Sequence, residues 1–381
     1  MKSWVALALA GLGLGLLLWP AERAQAIPYY ARKYEVSCQT CHVSPPKLNQ
    51  TGENFLANGY RFASERKTVR TLPLAVWASF RSQTDISRDR TRALPNRVEI
   101  ISGGPIGKSR AFYFFEWVPL SQEVGGDGGR VARHGRFEDL FIGLPVGRAT
   151  LTIGQYRMLG QVDVSRRMSI SEPLAFATGL AGTQATTGRL TSLRSFSLSG
   201  RAPAVRLSHQ WRRGGRAADG WQNALTIPFT GEFVIPLTER VRRERNFEFE
   251  IRPKGVLLES FYRRGLSSIG GHAFFGDERR MGGIVGVWNR GRFFSTAAVG
   301  FARERNGQTD ARFSWENEFI PRQWLALGLR IDDRSGTNRP VAVIPYANLQ
   351  WPLTRQTLRL ITEYRQQENN RAFLVELGWV F

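Results

Sequence analysis

Three features of the sequence predict an all-β fold, a transmembrane antiparallel β-barrel of about 16 strands that follows a small and mostly helical N-terminal module. One long apolar run stands at the start of the chain, and no later run approaches its length. Apolar and polar residues then alternate along most of the remaining sequence. The last alternating segment ends on an aromatic residue, Phe381. Together these features indicate an exported chain that crosses a membrane with strands.

The N-terminal segment, residues 1–26, has the organisation of a secretory signal peptide. Lys2 precedes an apolar run from Trp4 to Trp19, and the small-x-small sequence Ala24-Gln25-Ala26 follows. This order of charged, apolar and cleavage regions is typical of export signals, so we expect the segment to be removed; an N-terminal membrane anchor is the alternative. No later window reaches the roughly 20 apolar residues of a spanning helix.

The chain carries a formal net charge of +21, and most of its cations are arginines. The basic residues are spread from end to end, often as doublets such as Arg263-Arg264 and Arg279-Arg280. No nucleic-acid partner is expected, because the chain is predicted to be exported and its basic residues are not concentrated in one region. Anionic lipid head groups, an anion-lined pore or an acidic medium explain the charge better.

The only two cysteines stand in the motif Cys38-Gln39-Thr40-Cys41-His42. A disulfide suits an oxidising compartment, a redox CxxC pair needs a βαβ context that is missing, and a zinc site needs further ligands. Attachment of a c-type haem uses the whole motif, with Cys38 and Cys41 as covalent anchors and His42 as the proximal ligand of the iron. We therefore predict one covalently attached haem c, with His42 as the metal ligand.

The motif belongs to a short haem module that we place at residues 27–68. Pro45-Pro46 is expected to end the motif, and one short helix is predicted from Lys47 to Leu56, interrupted by Gly52. A segment of this size buries little core by itself. The haem and a neighbouring structure must supply the missing apolar contacts, so we expect the module to plug the barrel.

The distal axial ligand is not specified by the motif. No histidine or methionine occurs between Val43 and Arg70, although these are the usual second ligands of electron-transfer cytochromes. The distal position is either open, filled by a weaker group such as Lys47 or an asparagine, or supplied by the rest of the chain. The candidates there are Met158, Met168, His134, His209 and His272.

The remaining residues, 69–381, are predicted to form the barrel. Alternation places apolar residues on one face of each segment and polar residues on the other. Three segments are examples: Phe313, Trp315 and Phe319 against Arg312, Ser314, Glu316 and Glu318; Phe247, Phe249 and Ile251 against Glu248, Glu250 and Arg252; and Leu358, Leu360 and Tyr364 against Arg359 and Glu363. A membrane barrel turns its apolar face to lipid, whereas a soluble β-sandwich buries that face. Alternation alone is compatible with both. At nearly twenty residues per strand and turn, the segment supplies about 16 strands.

No catalytic constellation accompanies the haem motif. The patterns GxSxG and HExxH are missing, and no phosphate-binding glycine loop precedes a helix. We interpret the glycine-rich run Gly125-Gly126-Asp127-Gly128-Gly129 as a barrel loop. No catalytic residue is therefore predicted beyond the haem and its three motif residues.

Two stretches of the sequence resemble a known family, the fused outer-membrane cytochrome–porins of iron-oxidising bacteria. The first comprises Ala31-Arg32-Lys33-Tyr34, the motif Cys38–His42, Pro46-Lys47-Leu48-Asn49, Gly52, Phe55 and Asn58-Gly59-Tyr60-Arg61, and is similar to their monohaem module. The second, from Gly154-Gln155-Tyr156 to Glu172, resembles a stretch of phosphate-selective-type porins in which a strand ends and a lumen loop begins. Only the haem module is specific to the family.

The resemblance implies a haem plug that takes electrons from extracellular Fe(II) and passes them to a periplasmic cytochrome or cupredoxin. Outer-membrane lipid is the other expected partner, and an Fe(II):cytochrome c-type oxidoreductase is the implied enzyme class. A strongly cationic protein should repel Fe²⁺ at a positive donor site. We therefore expect lumen acids such as Glu248, Glu250, Glu316 and Glu318 to set the local potential.

Other functions remain compatible with the sequence. The barrel could be an anion-selective porin with a haem plug, or an electron conduit for another donor such as reduced sulfur or a mineral. A periplasmic electron carrier with a soluble β-domain is a further alternative. The sequence does not specify the donor, the acceptor, the redox potential or the oligomeric state.

Overall fold

A computed structural model provides the fold of the chain. It describes residues 28–64, 68–87, 89–107, 109–124, 130–132, 135–159, 168–171, 173, 175, 201–212, 218–229, 252–277, 279–305, 307, 309–335, 341–353, 356–367 and 370–380. The predicted signal peptide, the terminal Phe381, the segment 247–251 and His134 lie outside these residues. Within the described residues, no helix combines the length and the apolar character needed to cross a membrane.

The N-terminal module contains two helices, a 3-10 turn and one small hairpin. The elements are α1 (Pro28–Tyr34), the 3-10 turn (Cys38–Thr40), β1 (His42–Ser44), β2 (Lys47–Leu48) and α2 (Gln50–Ala57). The predicted start of the helix at Lys47 is wrong, because Lys47 and Leu48 pair with β1. Asn49 caps α2 by accepting a hydrogen bond from the backbone N–H of Gly52 at 3.1 Å, a typical helix start. Gly52 does not interrupt the helix.

The barrel is built from sixteen antiparallel strands that close into one ring in the described part of the chain. They are β3 (Ala75–Asp85), β4 (Arg90–Pro105), β5 (Phe112–Val124), β7 (Arg136–Val146), β8 (Ala149–Arg157), β9 (Arg201–Arg212), β10 (Gly220–Pro228), β11 (Val256–Arg264), β12 (Ser267–Phe275), β13 (Arg279–Arg290), β14 (Phe293–Glu304), β15 (Thr309–Arg322), β16 (Leu325–Ser335), β17 (Ala342–Leu353), β18 (Gln356–Gln367) and β19 (Asn370–Val380). A short strand, β6 (Arg130–Ala132), pairs only with β5. The ring closes where β19 pairs with β3. The predicted fold class is confirmed.

The two faces of the barrel wall differ in polarity. On β15, Trp315 is 43% exposed, whereas its neighbours Ser314 and Glu316 are 3% and 5% exposed. On β19, Trp379 is 42% exposed and Glu376 is 7% exposed. Apolar side chains therefore face outward and polar side chains face the lumen, the arrangement of a membrane barrel. This excludes the soluble β-sandwich.

The two ends of the barrel have connections of different length. At one end, neighbouring strands are joined by pairs of residues, such as 147–148, 265–266 and 291–292. At the other end, two connections are long, comprising residues 158–200 and 229–255. We call these the short-turn end and the long-loop end. In outer-membrane barrels short turns lie on the periplasmic side and long loops on the outside.

The N-terminal module lies in the short-turn mouth of the barrel. Ser44 Oγ donates a hydrogen bond to the carbonyl of Gln323 at 2.7 Å, in the connection between β15 and β16. Glu53 forms an ion pair with Arg263 at 2.5 Å, at the short-turn end of β11. The Tyr60 ring stacks on that of Phe114, with centroids 5.7 Å apart. These contacts attach the module to widely separated strands, so it plugs the mouth.

A second segment, Met168–Ser171, lies in the lumen against β15, β16 and β18. The backbone N–H groups of Ile170 and Ser171 donate to Glu363 Oε2 at 2.8 and 2.9 Å. Arg330 Nη1 donates to the carbonyl of Ser171 at 2.8 Å. The sequence predicts that a strand ends before this stretch and that a lumen loop follows. In the structure β8 ends at Arg157, and Met168–Ser171 lies in the lumen.

Candidate functional site

The three motif residues surround one turn of the module. Cys38 is buried at the start of the 3-10 turn, and the backbone N–H of Cys41 donates to the carbonyl of Cys38 at 3.0 Å. His42 follows directly and begins β1, opposite Leu48. All three residues line the same cavity. The structure thus brings the predicted haem-attachment residues together at the cavity wall.

The cavity has a volume of about 800 Å³ and lies between the module and the barrel wall. Its apolar lining includes aromatic residues from both parts: Phe55, Tyr60 and Phe62 from the module, and Phe112, Phe114 and Phe141 from the barrel. Ligand-binding cavities of this size are typically apolar with a few placed polar groups. The cavity is therefore large enough for a porphyrin, and it offers apolar surface as well as a charged wall.

A close approach of α2 shapes the cavity beside the motif. An added Cβ at Gly52 would overlap with the backbone carbonyl oxygen of Cys41. The backbone N–H of Asn49 also donates to this carbonyl at 2.9 Å. Only glycine allows the helix to lie directly on the motif turn. Gly52 therefore has a packing role. The sequence alone had predicted that this glycine interrupts the helix.

Two buried hydroxyl groups provide a test of whether the cavity suits a haem. The hydroxyls of Tyr30 and Tyr156 are buried without a hydrogen-bond partner in the described structure, and both residues line the cavity. A buried hydroxyl without a partner is costly. A haem carries two propionate carboxylates, which accept such hydrogen bonds, so the residues present fit this cofactor.

Charged side chains cover the cavity wall formed by β4, β5, β7 and β9. Arg97 and Arg201 contact Glu138 Oε2 at 2.5 and 2.6 Å. Arg97 also contacts Glu116 at 3.2 Å, and Glu99 lines the cavity beside it. The two arginines and three acids named here lie in direct contact, so most of their charge is compensated within the cluster. Sequence analysis did not single out the cluster, although pairs such as Arg97 and Glu99 lie two residues apart on the polar face.

Among the described histidine and methionine candidates for the distal ligand, His209 alone lines the cavity. Met158 and Met168 are fully buried in the barrel interior, and neither they nor His272 line the cavity. His209 contributes to the cavity wall from β9, but its ring contacts Trp211, which is 68% exposed on the outer face. The structure therefore assigns no distal ligand.

Lys47 and the two predicted lumen acids of β15 interact with one another. Lys47 Nζ pairs with Glu318 and lies 4.4 Å above the centre of the Phe294 ring. The Tyr346 hydroxyl donates to Glu316 at 2.9 Å and lies 3.1 Å from Glu318. None of these residues lines the cavity. In the described residues, no group of three or more histidine, cysteine or acidic side chains is placed to hold a metal ion.

No protein-family model matches the chain, and no curated protein matches its sequence. The fold is similar to that of solved porins. The anion-selective porin from Comamonas acidovorans has a TM-score of 0.50 at 12% identity, over 81% of this chain and 98% of its own. OmpF from Salmonella typhi, solved with daunomycin, has a TM-score of 0.50 at 8% identity, over 81% and 97%.

These similarities concern the fold alone. The chain is a porin-like β-barrel protein, and its apolar outer face requires a membrane. Closed barrels of this kind belong to the outer membrane of Gram-negative bacteria. The predicted outer-membrane location is confirmed.

Proposed function

We propose that the chain is an outer-membrane c-type cytochrome fused to a porin-like barrel, which carries electrons between the outside and the periplasm. The observation that supports this most directly is that Cys38, Cys41 and His42 line one cavity between the module and the barrel wall, together with aromatic residues from both parts. The two cysteines would hold the haem, and His42 would coordinate its iron from the proximal side.

The arrangement suits electron transfer better than diffusion of a solute. A hydrocarbon layer about 30 Å thick is too wide for one efficient electron-tunnelling step, and a cofactor placed inside the barrel divides that distance. When bound, the haem supplies one-electron chemistry. The module residues would hold it in the mouth, and the aromatic residues of the lining would offer it apolar contacts.

Extracellular Fe(II) is the proposed donor, and a periplasmic cytochrome or cupredoxin is the proposed acceptor. Support for these partners comes from the resemblance of residues 31–61 to the monohaem module of iron-oxidising cytochrome–porins. Keeping iron outside while importing electrons avoids the deposition of insoluble ferric iron in the cell. The reaction class is oxidation of Fe(II) with reduction of a c-type cytochrome.

A second candidate function is favoured by the charge of the chain and by its fold. The net charge is +21, and one solved structure with a similar fold is described as an anion-selective porin. In this case the module would restrict an anion pathway, and the haem would have no external donor. The arginines Arg201 and Arg206 at the cavity wall would then contact the permeating anion.

The haem-loaded protein in liposomes distinguishes the two functions. Fe(II) is added outside, and reduction of the haem is followed by its α-band. Rapid reduction supports the cytochrome–porin. Reduction by dithionite but not by Fe(II), at acidic and at near-neutral pH, excludes ferrous iron as the donor. A large, steady and anion-selective conductance in planar bilayers would favour the porin, because a plugged electron conduit conducts ions poorly.

A further inference from the structure

Two parts of the chain enter the lumen, and both line the same cavity. The N-terminal module contributes His42 and its two motif cysteines, and the lumen segment Met168–Ser171 contributes Ser169 and Ile170. Ser169 Oγ donates to Glu316 at 3.3 Å. Glu316 is six residues from the short-turn end of β15, which is roughly 20 Å along a strand. The segment therefore lies well inside the barrel.

The polar face of β17 contacts both inserted parts at successive inward positions. Nearest the short-turn end, Gln350 Nε2 donates to Ser44 Oγ of the module at 3.1 Å. Two residues deeper, Asn348 Nδ2 donates to the carbonyl oxygen and to the sulfur of Met168, both at 3.3 Å. Gln350 and Asn348 are 1% and 0% exposed. The segment thus lies next to the module, on the side of the long-loop end.

A second link joins the two parts through a chain of buried polar side chains. Lys47 of the module pairs with Glu318, and Ser169 of the segment donates to Glu316. The Tyr346 hydroxyl connects the two carboxylates, because it donates to Glu316 at 2.9 Å and lies 3.1 Å from Glu318. Ionic and hydrogen-bonded contacts therefore run without a break from the module to the segment.

An apolar contact is the third link. Met168 is fully buried in a cluster at the barrel wall that also contains Phe294, Ile320, Ala326 and Tyr346. Val43 of the module, the residue after His42, packs against this cluster. Withdrawal of either part would leave buried polar groups without partners and would open a void beside the cluster. Each part is thus more stable in place when the other is in place.

We infer that the module and the lumen segment form one double plug, whose two layers are released together. The module closes the side toward the short turns, and the segment lies over the cavity on the side toward the long loops. Tyr346, Asn348 and Gln350 of β17 couple the two layers. Because coupling is reciprocal, loosening of either layer loosens the other. The inference does not require a haem, so it is independent of the proposed electron transfer.

Two substitutions each act on one layer only. In the described structure the Asn348 side chain bonds to the segment and not to the module, whereas the Gln350 side chain bonds to the module and not to the segment. Asn348→Leu and Gln350→Leu remove these bonds at similar side-chain volume. Asn96→Leu is the matched control, because Asn96 is 5% exposed and its amide donates to Ser79 of the barrel wall at 3.0 Å.

Hydrogen exchange of the full-length protein, read by mass spectrometry, tests the coupling. Peptides that cover residues 38–57 report on the module, and peptides that cover residues 168–171 report on the segment. Each test variant should accelerate exchange in both peptides by roughly three- to tenfold, the effect of losing a buried hydrogen bond. The control should match wild type in both. Acceleration confined to the layer that a variant touches, or acceleration in neither layer, would overturn the inference.

Single-channel recordings of the wild-type protein test the same idea without a substitution. Two layers that are released together give openings of one size, whereas independent layers give a separate, smaller conductance level. A reproducible smaller level would overturn the inference. Covalent haem is scored under denaturing conditions on the same preparation. Its absence would overturn the proposed function and leave the double plug standing, since none of the three links involves the cofactor.

Discussion

The backbone carbonyl oxygen of Cys41 occupies the space that a Cβ at Gly52 would need. Gly52 lies in the first turn of α2, and Cys41 is the second cysteine of the haem motif. The helix and the motif turn are therefore in direct backbone contact. The proposed haem, attached at Cys41, would depend on this contact for its position.

Replacement of Gly52 by alanine tests the contact. Alanine normally favours a helix interior over glycine by about 1 kcal/mol, so a harmful effect must come from the overlap. We expect the module to be destabilised by about 1–3 kcal/mol, the usual cost of overpacking, and the yield of covalently attached haem to fall. Haem per polypeptide and protease resistance of the module are the measurements.

Gly286→Ala is the matched control for this substitution. Gly286 lies on β13, and an added Cβ there meets no atom within 4 Å. Haem yield should equal that of wild type in this variant. Equal yields in Gly52→Ala and wild type would show that α2 can move away from the motif without consequence.

The ion pair between Glu53 and Arg263 should hold the module in the barrel mouth. Both side chains are about 15% exposed, so the pair is stronger than one at the surface. Glu53→Gln should weaken docking by about 1–3 kcal/mol, because a largely buried arginine loses a charged partner. The expected result is more frequent channel openings in single-channel recordings.

A double-mutant cycle separates the pair from other effects. The variants are Glu53→Gln, Arg263→Gln and their combination, and opening frequency is compared across the cycle. The channel of the double variant should open less often than it would if the increases caused by the two single variants simply added. Strict additivity would mean that the two residues do not act together in docking.

Alternation in the sequence was sufficient to predict strands, but not the direction of their faces. Trp315 and Glu316 alternate in the same way whether the apolar side meets lipid or a second sheet. The exposure of the two faces decides between them, because Trp315 is 43% and Glu316 5% exposed in a ring that closes where β19 pairs with β3. The start of α2 was misplaced because Lys47 pairs with β1, a contact that depends on the preceding turn and not on helix propensity.

The candidate site was only partly accessible to sequence analysis. Cys38, Cys41 and His42 form a contiguous motif, so their proximity follows from the chain itself. Arg206 lines the cavity from β9, which pairs with β8 although 43 residues separate the two strands in sequence. Their register cannot be derived from either strand alone. The polar face of β9 was nevertheless a visible signal for Arg206.

Glu363 should be the main anchor of the lumen segment Met168–Ser171. It accepts backbone N–H groups from Ile170 and Ser171 at 2.8 and 2.9 Å and is fully buried. Glu363→Ala should release the segment, since each hydrogen bond to a carboxylate contributes about 1.5–3 kcal/mol. Faster proteolysis within residues 158–200 is the expected result.

Glu304→Ala is the control, because Glu304 pairs with Arg279 at 2.6 Å, away from this segment. Equal proteolysis in both variants would contradict an anchoring role.

Lys47 is predicted not to be the distal haem ligand, although it lies close to the motif in sequence. Its ammonium group pairs with Glu318 and lies 4.4 Å from the centre of the Phe294 ring, and Lys47 does not line the cavity. Lys47→Gln should therefore leave the absorption spectrum of the oxidised and reduced haem unchanged, while thermal stability falls because Glu318 loses its cation. The variant Glu318→Gln should lower stability in the same way without a spectral change. A shift of the haem bands in Lys47→Gln alone would instead identify Lys47 as the distal ligand, because loss of an axial ligand changes the ligand field of the iron directly.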